Sequence, residues 1–134
     1  MPISFEELYH EANSVINPRK LSEFAEAGGV GAAILAESGR IYTGVCIDTS
    51  SSMGFCAEHA AASAMITAGE SRVIRMIAVD WDGSVLSPCG RCREFINQIH
   101  KDNWNAEVMV QEGKIATIQE LLPYDWRQSA GDRS

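Results

Sequence analysis

Four residues at two places in the chain have the types and spacing for metal-assisted hydrolysis: Cys56 with Glu58 in CAEH (56–59), and Cys89 with Cys92 in PCGRC (88–92). A thiol at the start of a helix faces unpaired backbone N–H groups and the positive end of the helix dipole, which lowers its pKa and favours metal binding. Three soft ligands suit Zn2+, which takes thiolates at about 2.3 Å in a tetrahedral arrangement and would keep its fourth corner for water. Glu58, in the first turn after Cys56, does not compete for the metal and is expected to take a proton from that water and pass it on. Three thiolates on one dication leave a net negative charge, so a cation must offset them. Arg91, between two of the ligands, is the natural candidate, with Arg93 and His59 weaker ones.

The surrounding pattern supplies elements that can carry these residues. Ser4 with Glu7 forms a capping box, and Phe5, Leu8, Tyr9, Ala12, Val15 and Ile16 follow at helical spacing until Asn17-Pro18. VGAAILAE (30–37), a Ser38-Gly39 turn and RIYTGVCI (40–47) read as a β-hairpin. The Ala-rich run 56–69 predicts a helix stopped by Gly69. VIRMIAVDW (73–81) predicts a strand, and Pro88 opens a second cysteine helix running to about His100. AEVMVQ (106–111) predicts a strand, Glu112-Gly113 a turn, and Lys114 to Ala116 a fifth strand, antiparallel because so short a turn permits no crossover. TIQELL (117–122) is a short helix ended by Pro123. The order β-β-α-β-α-β-β predicts an α/β domain with a mixed five-stranded sheet between helices, a single domain over 1–128 and a mobile tail over 129–134.

Composition narrows the function classes. At 134 residues and 46% hydrophobic, the chain fills one core and not two. A net charge of −7 has the wrong sign for neutralising a phosphate backbone, so no nucleic-acid partner is expected. No run approaches the roughly 20 apolar residues of a membrane helix, so no membrane partner is expected either. The N-terminus lacks the basic and apolar regions of a signal peptide, which places the chain in the cytoplasm, where the four cysteines are expected to be reduced or metal-bound.

Cys-x-Glu followed by Pro-Cys-x-x-Cys is the cysteine form of the zinc deaminase signature. Together with VGAAIL (30–35), GRIYTG (39–44) and ELLP (120–123), it makes the chain resemble the short, three-cysteine cytidine deaminases over roughly residues 5–126. It is also similar to blasticidin-S deaminase, whose inter-cysteine pair is likewise Gly-Arg. The resemblance implies a three-layer α/β/α fold and one Zn2+ on Cys56, Cys89 and Cys92. It implies attack on C4 of a cytosine-like ring, with Glu58 protonating N3 and then the departing ammonia. It further implies that the backbone N–H of Ala57 reads the ring carbonyl, that the backbone carbonyl of Ser87 accepts from the amino group, and that the chain forms a homotetramer with shared active sites. The substrate is expected to be cytidine, deoxycytidine or a modified cytosine nucleoside, with a blasticidin-S-type antibiotic as the alternative.

This chain departs from the family pattern at the sugar end. The family's Asn-x-Glu, which holds the ribose hydroxyls, is replaced by Cys46-Ile47-Asp48. Asp48 keeps an acceptor there, and Cys46 is a poor substitute for an amide. Gly28 stands where an aromatic residue usually covers the base, leaving Phe24 or Phe55 to do so. His59 replaces an Arg common after the first motif, and Glu94 replaces a Gln after the second.

Rival readings remain at this level. Cys56-x-x-His59 with Cys89-x-x-Cys92 also has the ligand spacing of a closed Cys3His structural zinc site, which would make the protein a scaffold or an inactive, deaminase-like binding module. Cys89-Gly-Arg-Cys92 alone would suit a thioredoxin-like redox pair, but leaves Cys56 and Glu58 without roles. His10 and His100 read as surface histidines, Cys46 as a small buried residue, Trp104 and Trp126 as core or interface residues, and Glu6, Glu7 and Glu11 as a solvated helix face.

Overall fold

Residues 32–36 and 76–79 alternate their side chains between two apolar surfaces, and this determines the architecture. Ala32, Ile34, Ala36, Met76 and Ala78 enter one buried cluster, whereas Ala33, Leu35, Ile77 and Val79 enter another. A strand with both faces covered reads as a continuous apolar run, and it requires helices above and below.

The computed structural model describes residues 3–129. Helix α1 (Phe5–Ser14) packs Phe5, Leu8 and Ala12 on one face of the sheet; its N-cap Ser4 accepts from the Glu7 N–H at 3.2 Å. Strands β1 (Arg19–Ser22), β2 (Ala25–Ala36) and β3 (Ile41–Thr49) follow, then α2 (Ala57–Thr67), β4 (Val73–Asp80) and β5 (Val85–Leu86). The chain continues through α3 (Gly90–Gln98), β6 (Glu107–Gln111), β7 (Lys114–Thr117), α4 (Ile118–Leu121) and α5 (Trp126–Ser129). Helices α2, α3 and α4 bury Ala61, Ala62, Met65, Ile96 and Ile118 against the opposite face from α1. The result is the expected three-layer α/β/α arrangement. No helix among the described residues is long and apolar enough to cross a membrane.

Among the described residues the sheet has seven strands, two more than the sequence predicts. The five expected strands form its full width in the order β3-β2-β4-β6-β7, with β4 and β6 the parallel pair. The additions are short: β1 extends the edge of β2 that also receives β4, and β5 pairs with Ala78 and Val79 of β4. Arg19 to Ser22 is exposed throughout and β5 has only two residues, so neither carries an alternating apolar signal. Strand β2 also begins five residues before its predicted start. Gly28, at φ +89°, bulges the strand there without ending it, and its carbonyl accepts from the Asn17 N–H at 2.9 Å. Of the tail expected at 129–134, residues 130–134 lie outside the described residues.

Two further features hold the frame. Asn103 is fully buried with every amide bond used: Oδ1 accepts from the Val73 N–H at 2.7 Å, and Nδ2 donates to the Ser71 and Ile96 carbonyls at 3.0 and 2.9 Å. Gly44 on β3 lies under the first turns of α2, where a Cβ would sit 2.3 Å from the Ala61 nitrogen and 2.6 Å from the Ala60 Cβ. That close approach places the start of α2 against the sheet.

Candidate metal centre and its cavity

Two helices begin at the same point in space. Cys56 is the N-cap of α2 and Cys89 the N-cap of α3, with Cys92 one turn into α3. Their sulfur atoms lie within 4.8 Å of one another, with Cys56 Sγ 3.6 Å and Cys92 Sγ 3.5 Å from Cys89 Sγ. A tetrahedral centre with Zn–S bonds of about 2.3 Å needs sulfurs about 3.8 Å apart, so the trio fits zinc with little adjustment.

Burial and helix ends act on these thiols in opposite directions. Burial pushes the Cys56 thiol up, and pushes the Cys92 thiol up strongly, assisted by the charge of Glu58. Burial also opposes ionisation of Cys89, but hydrogen bonds from the Cys92 backbone, from the Cys92 and Cys56 thiols and from the Arg91 backbone together outweigh it and hold that thiol below its ordinary value. The expectation that helix ends would depress all three thiols therefore holds only for the most exposed one. Without a cation, three sulfurs this close cannot all ionise, and a soft dication is the species that would let them.

Glu58 lies in the first turn of α2 at 5% exposure, and burial raises its carboxyl above the usual range. It lines a cavity of about 550 Å³ with Cys56, Ala57, Ser87, Cys89 and Arg91. The Ala57 N–H, at the start of α2, and the Ser87 carbonyl, in the loop before α3, have no hydrogen-bond partner among the described residues. The cavity thus presents one free donor and one free acceptor beside a buried acid and the thiol cluster.

His59 does not join the cluster as a fourth ligand. Its ring stacks on Phe95 with centroids 4.3 Å apart, and its Nδ1 lies 3.4 Å from Cys92 Sγ. The set of ligand atoms within 4.8 Å of one another contains the three cysteines and not His59, which does not favour the closed Cys3His reading. Burial, and then the charge of Arg91, lowers the His59 pKa. The Arg91 side chain, expected to offset the thiolates, lines the cavity and makes no hydrogen bond to a ligand sulfur. Arg93 turns elsewhere: its Nε donates to the Pro88 carbonyl at 2.8 Å, Nη2 to Ser87 Oγ at 3.0 Å and Nη1 to the Leu121 carbonyl at 3.3 Å.

Cys46 and Asp48 also line the cavity. Cys46 Sγ accepts from the Val30 N–H at 3.3 Å and lies 3.9 Å from Asp48 Oδ2, whose carboxylate is exposed. Phe24 is 64% exposed and lies beside a separate groove with Asp48 and Thr49, not in this cavity. Phe55 lines the cavity, pinned by paired backbone bonds with Ile47 at 2.9 and 3.0 Å. Thr49, Ser52 and Leu86, which also line it, carry no specific signal in the sequence, being ordinary loop and strand-end residues. His10 is exposed, His100 caps the 3-10 turn Lys101–Asn105 by accepting from the Asp102 N–H, and Trp126 is 52% exposed and not core.

Residues 6–108 match the family model described as the cytidine and deoxycytidylate deaminase zinc-binding region. A cytidine deaminase of Mycobacterium tuberculosis is 43% identical over 68 residues, which cover 50% of this chain and 51% of that protein. One from Sporosarcina psychrophila is 39% identical over 99 residues, covering 70% of this chain and 71% of the relative. The chain thus spans about half the length of the first of these relatives in the matched stretch. The crystal structure of cytidine deaminase from Mycobacterium tuberculosis superposes with a TM-score of 0.76 at 30% identity, covering 91% of this chain and 96% of the other. That from Mycobacterium leprae gives 0.76 at 28% identity, covering 90% and 98%.

Proposed function

The chain belongs to the cytidine and deoxycytidylate deaminase family, and from that premise we propose that it is a zinc-dependent hydrolase that removes the exocyclic amino group of a cytosine nucleoside. The observation that carries this reading is the meeting of two helix starts, which sets the buried Glu58 beside three clustered thiols in a cavity with a free donor and a free acceptor. Cys56, Cys89 and Cys92 would hold one zinc per chain, and zinc, when bound, supplies Lewis-acid activation of water.

The chain's own groups do the remaining work. Glu58 accepts one proton of the attacking water and delivers it to the ring nitrogen, then carries the second to the leaving amine; its raised pKa suits a group that must be protonated for part of the cycle. The Ala57 N–H holds the ring carbonyl and the Ser87 carbonyl accepts from the amino group. In the net reaction the C4–N bond breaks, a C4 carbonyl forms, one water is consumed and ammonia leaves. Arg91 at the cavity wall supplies the positive charge that offsets the thiolates, and His59 touches Cys92 as a neutral hydrogen-bonding ring. Phe55, not Phe24, covers the base, while Asp48 and Cys46 face the sugar.

A nucleoside is favoured over a blasticidin-type antibiotic, because the curated relatives at 43% and 39% identity are cytidine deaminases. Exposed Leu21, Phe24 and Met53 support association with further copies, for which we propose a homotetramer. A cytoplasmic role in pyrimidine nucleoside salvage fits this substrate class. The test is ammonia release by the zinc-loaded chain from cytidine, deoxycytidine, methylated cytidines and blasticidin S. Glu58→Gln should keep its zinc and lose about 10²–10⁴-fold in turnover. Silence across the panel from folded, zinc-loaded protein, or near-normal turnover by Glu58→Gln, overturns the reading.

A further inference from the structure

The loop Ser87-Pro88-Cys89 carries both a thiol of the cluster and the free carbonyl of the cavity, yet it has little means of holding itself. Pro88 has no N–H to tether it, and Ser87 and Cys89 are both exposed. The Arg93 guanidinium takes over that task from the first turn of α3. Nε engages the buried Pro88 carbonyl and Nη2 the Ser87 hydroxyl, so the planar fork grips the chain on either side of the Ser87 carbonyl, while Nη1 anchors the fork to the end of α4 at Leu121. The Ser87 carbonyl itself is left unengaged at the cavity wall.

We infer that Arg93 is a positioning residue for substrate discrimination: by clamping Ser87 and Pro88 it fixes the Ser87 carbonyl where it accepts from an amino group and opposes a carbonyl oxygen at the same ring position. This rests on the deaminase reading. It assigns Arg93 a role distinct from offsetting thiolate charge, since all three of its contacts are carbonyl or hydroxyl oxygens. A fixed acceptor strengthens binding of the amine-bearing substrate and weakens binding of the product, whose ring presents an acceptor there; a loosened one does neither.

The test uses zinc-loaded Glu58→Gln protein, so that cytidine and uridine binding are measured by calorimetry without turnover. Adding Arg93→Lys keeps the cation and removes the fork. Cytidine affinity should fall about three- to tenfold, the worth of one hydrogen bond, while uridine affinity stays the same or rises. Zinc content and Tm are recorded alongside. Equal losses for both nucleosides, or no change in either, overturn the proposal; failure of Glu58→Gln itself to bind either nucleoside would instead indict the deaminase reading. Should Arg93→Lys not fold, the parent chain still decides: the Arg93 side-chain Nε–H should exchange slowly with water in NMR and shift on cytidine binding more than on uridine binding. A rapidly exchanging Nε–H, or equal shifts, overturns it.

Discussion

Replacing Gly44 by Ala adds one methyl group at the contact between β3 and α2, and the structure gives the size of the disturbance. The new Cβ would lie 2.3 Å from the Ala61 nitrogen, 2.6 Å from the Ala60 Cβ and 2.7 Å from the Ala60 carbonyl carbon. Carbon atoms settle at about 3.5–4.0 Å, so helix and strand must separate by about 1 Å. Backbone atoms and a short Ala side chain cannot swing aside, which puts the cost at the upper end of overpacking, about 3 kcal/mol. For a chain of this size that lowers Tm by about 10 °C. Because Ala60 and Ala61 are one turn from Cys56 and Glu58, the same displacement moves the acid relative to the cluster, and a misplacement of about 1 Å costs about 10²-fold in turnover. Gly90 is the matched control: it sits between the ligands, but a Cβ there meets nothing within 4 Å. Gly90→Ala, at the start of a helix, should leave Tm unchanged or raise it, by no more than about 1 kcal/mol of added stability. Thermal melting and steady-state kinetics of both variants decide the matter. A Gly44→Ala protein with parental Tm and turnover would refute the argument that this contact seats α2.

The remaining expectations concern the cluster, the frame and the cavity. Cys89→Ala leaves two thiols and should abolish stoichiometric zinc by atomic absorption while lowering Tm; a variant that stays zinc-loaded would refute the ligand set. Asn103→Ala orphans the Val73 N–H and the Ser71 and Ile96 carbonyls, and should cost about 3–5 kcal/mol in urea unfolding. Phe55→Ala should raise KM about tenfold with kcat within about twofold, the loss of one base-stacking contact. An unchanged KM would return that role to Phe24.

The sequence made the chemistry more legible than its surroundings. Cys56, Glu58, Cys89 and Cys92 could be read because each stands at or near the start of a helix whose onset is locally encoded, by an Ala-rich run or by Pro88. The central strands β2 and β4 were visible because they are buried on both faces and therefore apolar through their middles. β1 was not visible, since Arg-Lys-Leu-Ser is exposed and owes its pairing to the edge of β2. The placement of Phe24 and Phe55 depended on the bulge at Gly28 and the bridge from Ile47 to Phe55, neither of which a pattern of residue types encodes. His59 and Arg91 both lie near ligands in sequence, but only side-chain direction reveals that His59 touches a sulfur while Arg91 faces the cavity. The fork of Arg93 joins Ser87, Pro88 and Leu121, whose identities give no hint of a shared partner.

The three sulfurs are graded in exposure: Cys89 is open to solvent, Cys56 is half-covered and Cys92 is enclosed. Cys56 and Cys89 also form part of the cavity wall, and Cys92 does not. A metal ion approaching from solvent and a nucleoside approaching Glu58 therefore share one doorway. On the proposed function, the metal would have to load before the substrate, and a seated nucleoside would be a barrier to metal escape. Turnover and metal retention would then be linked through traffic and not only through affinity, and the substrate-free form would be the one most exposed to scavenging of its zinc.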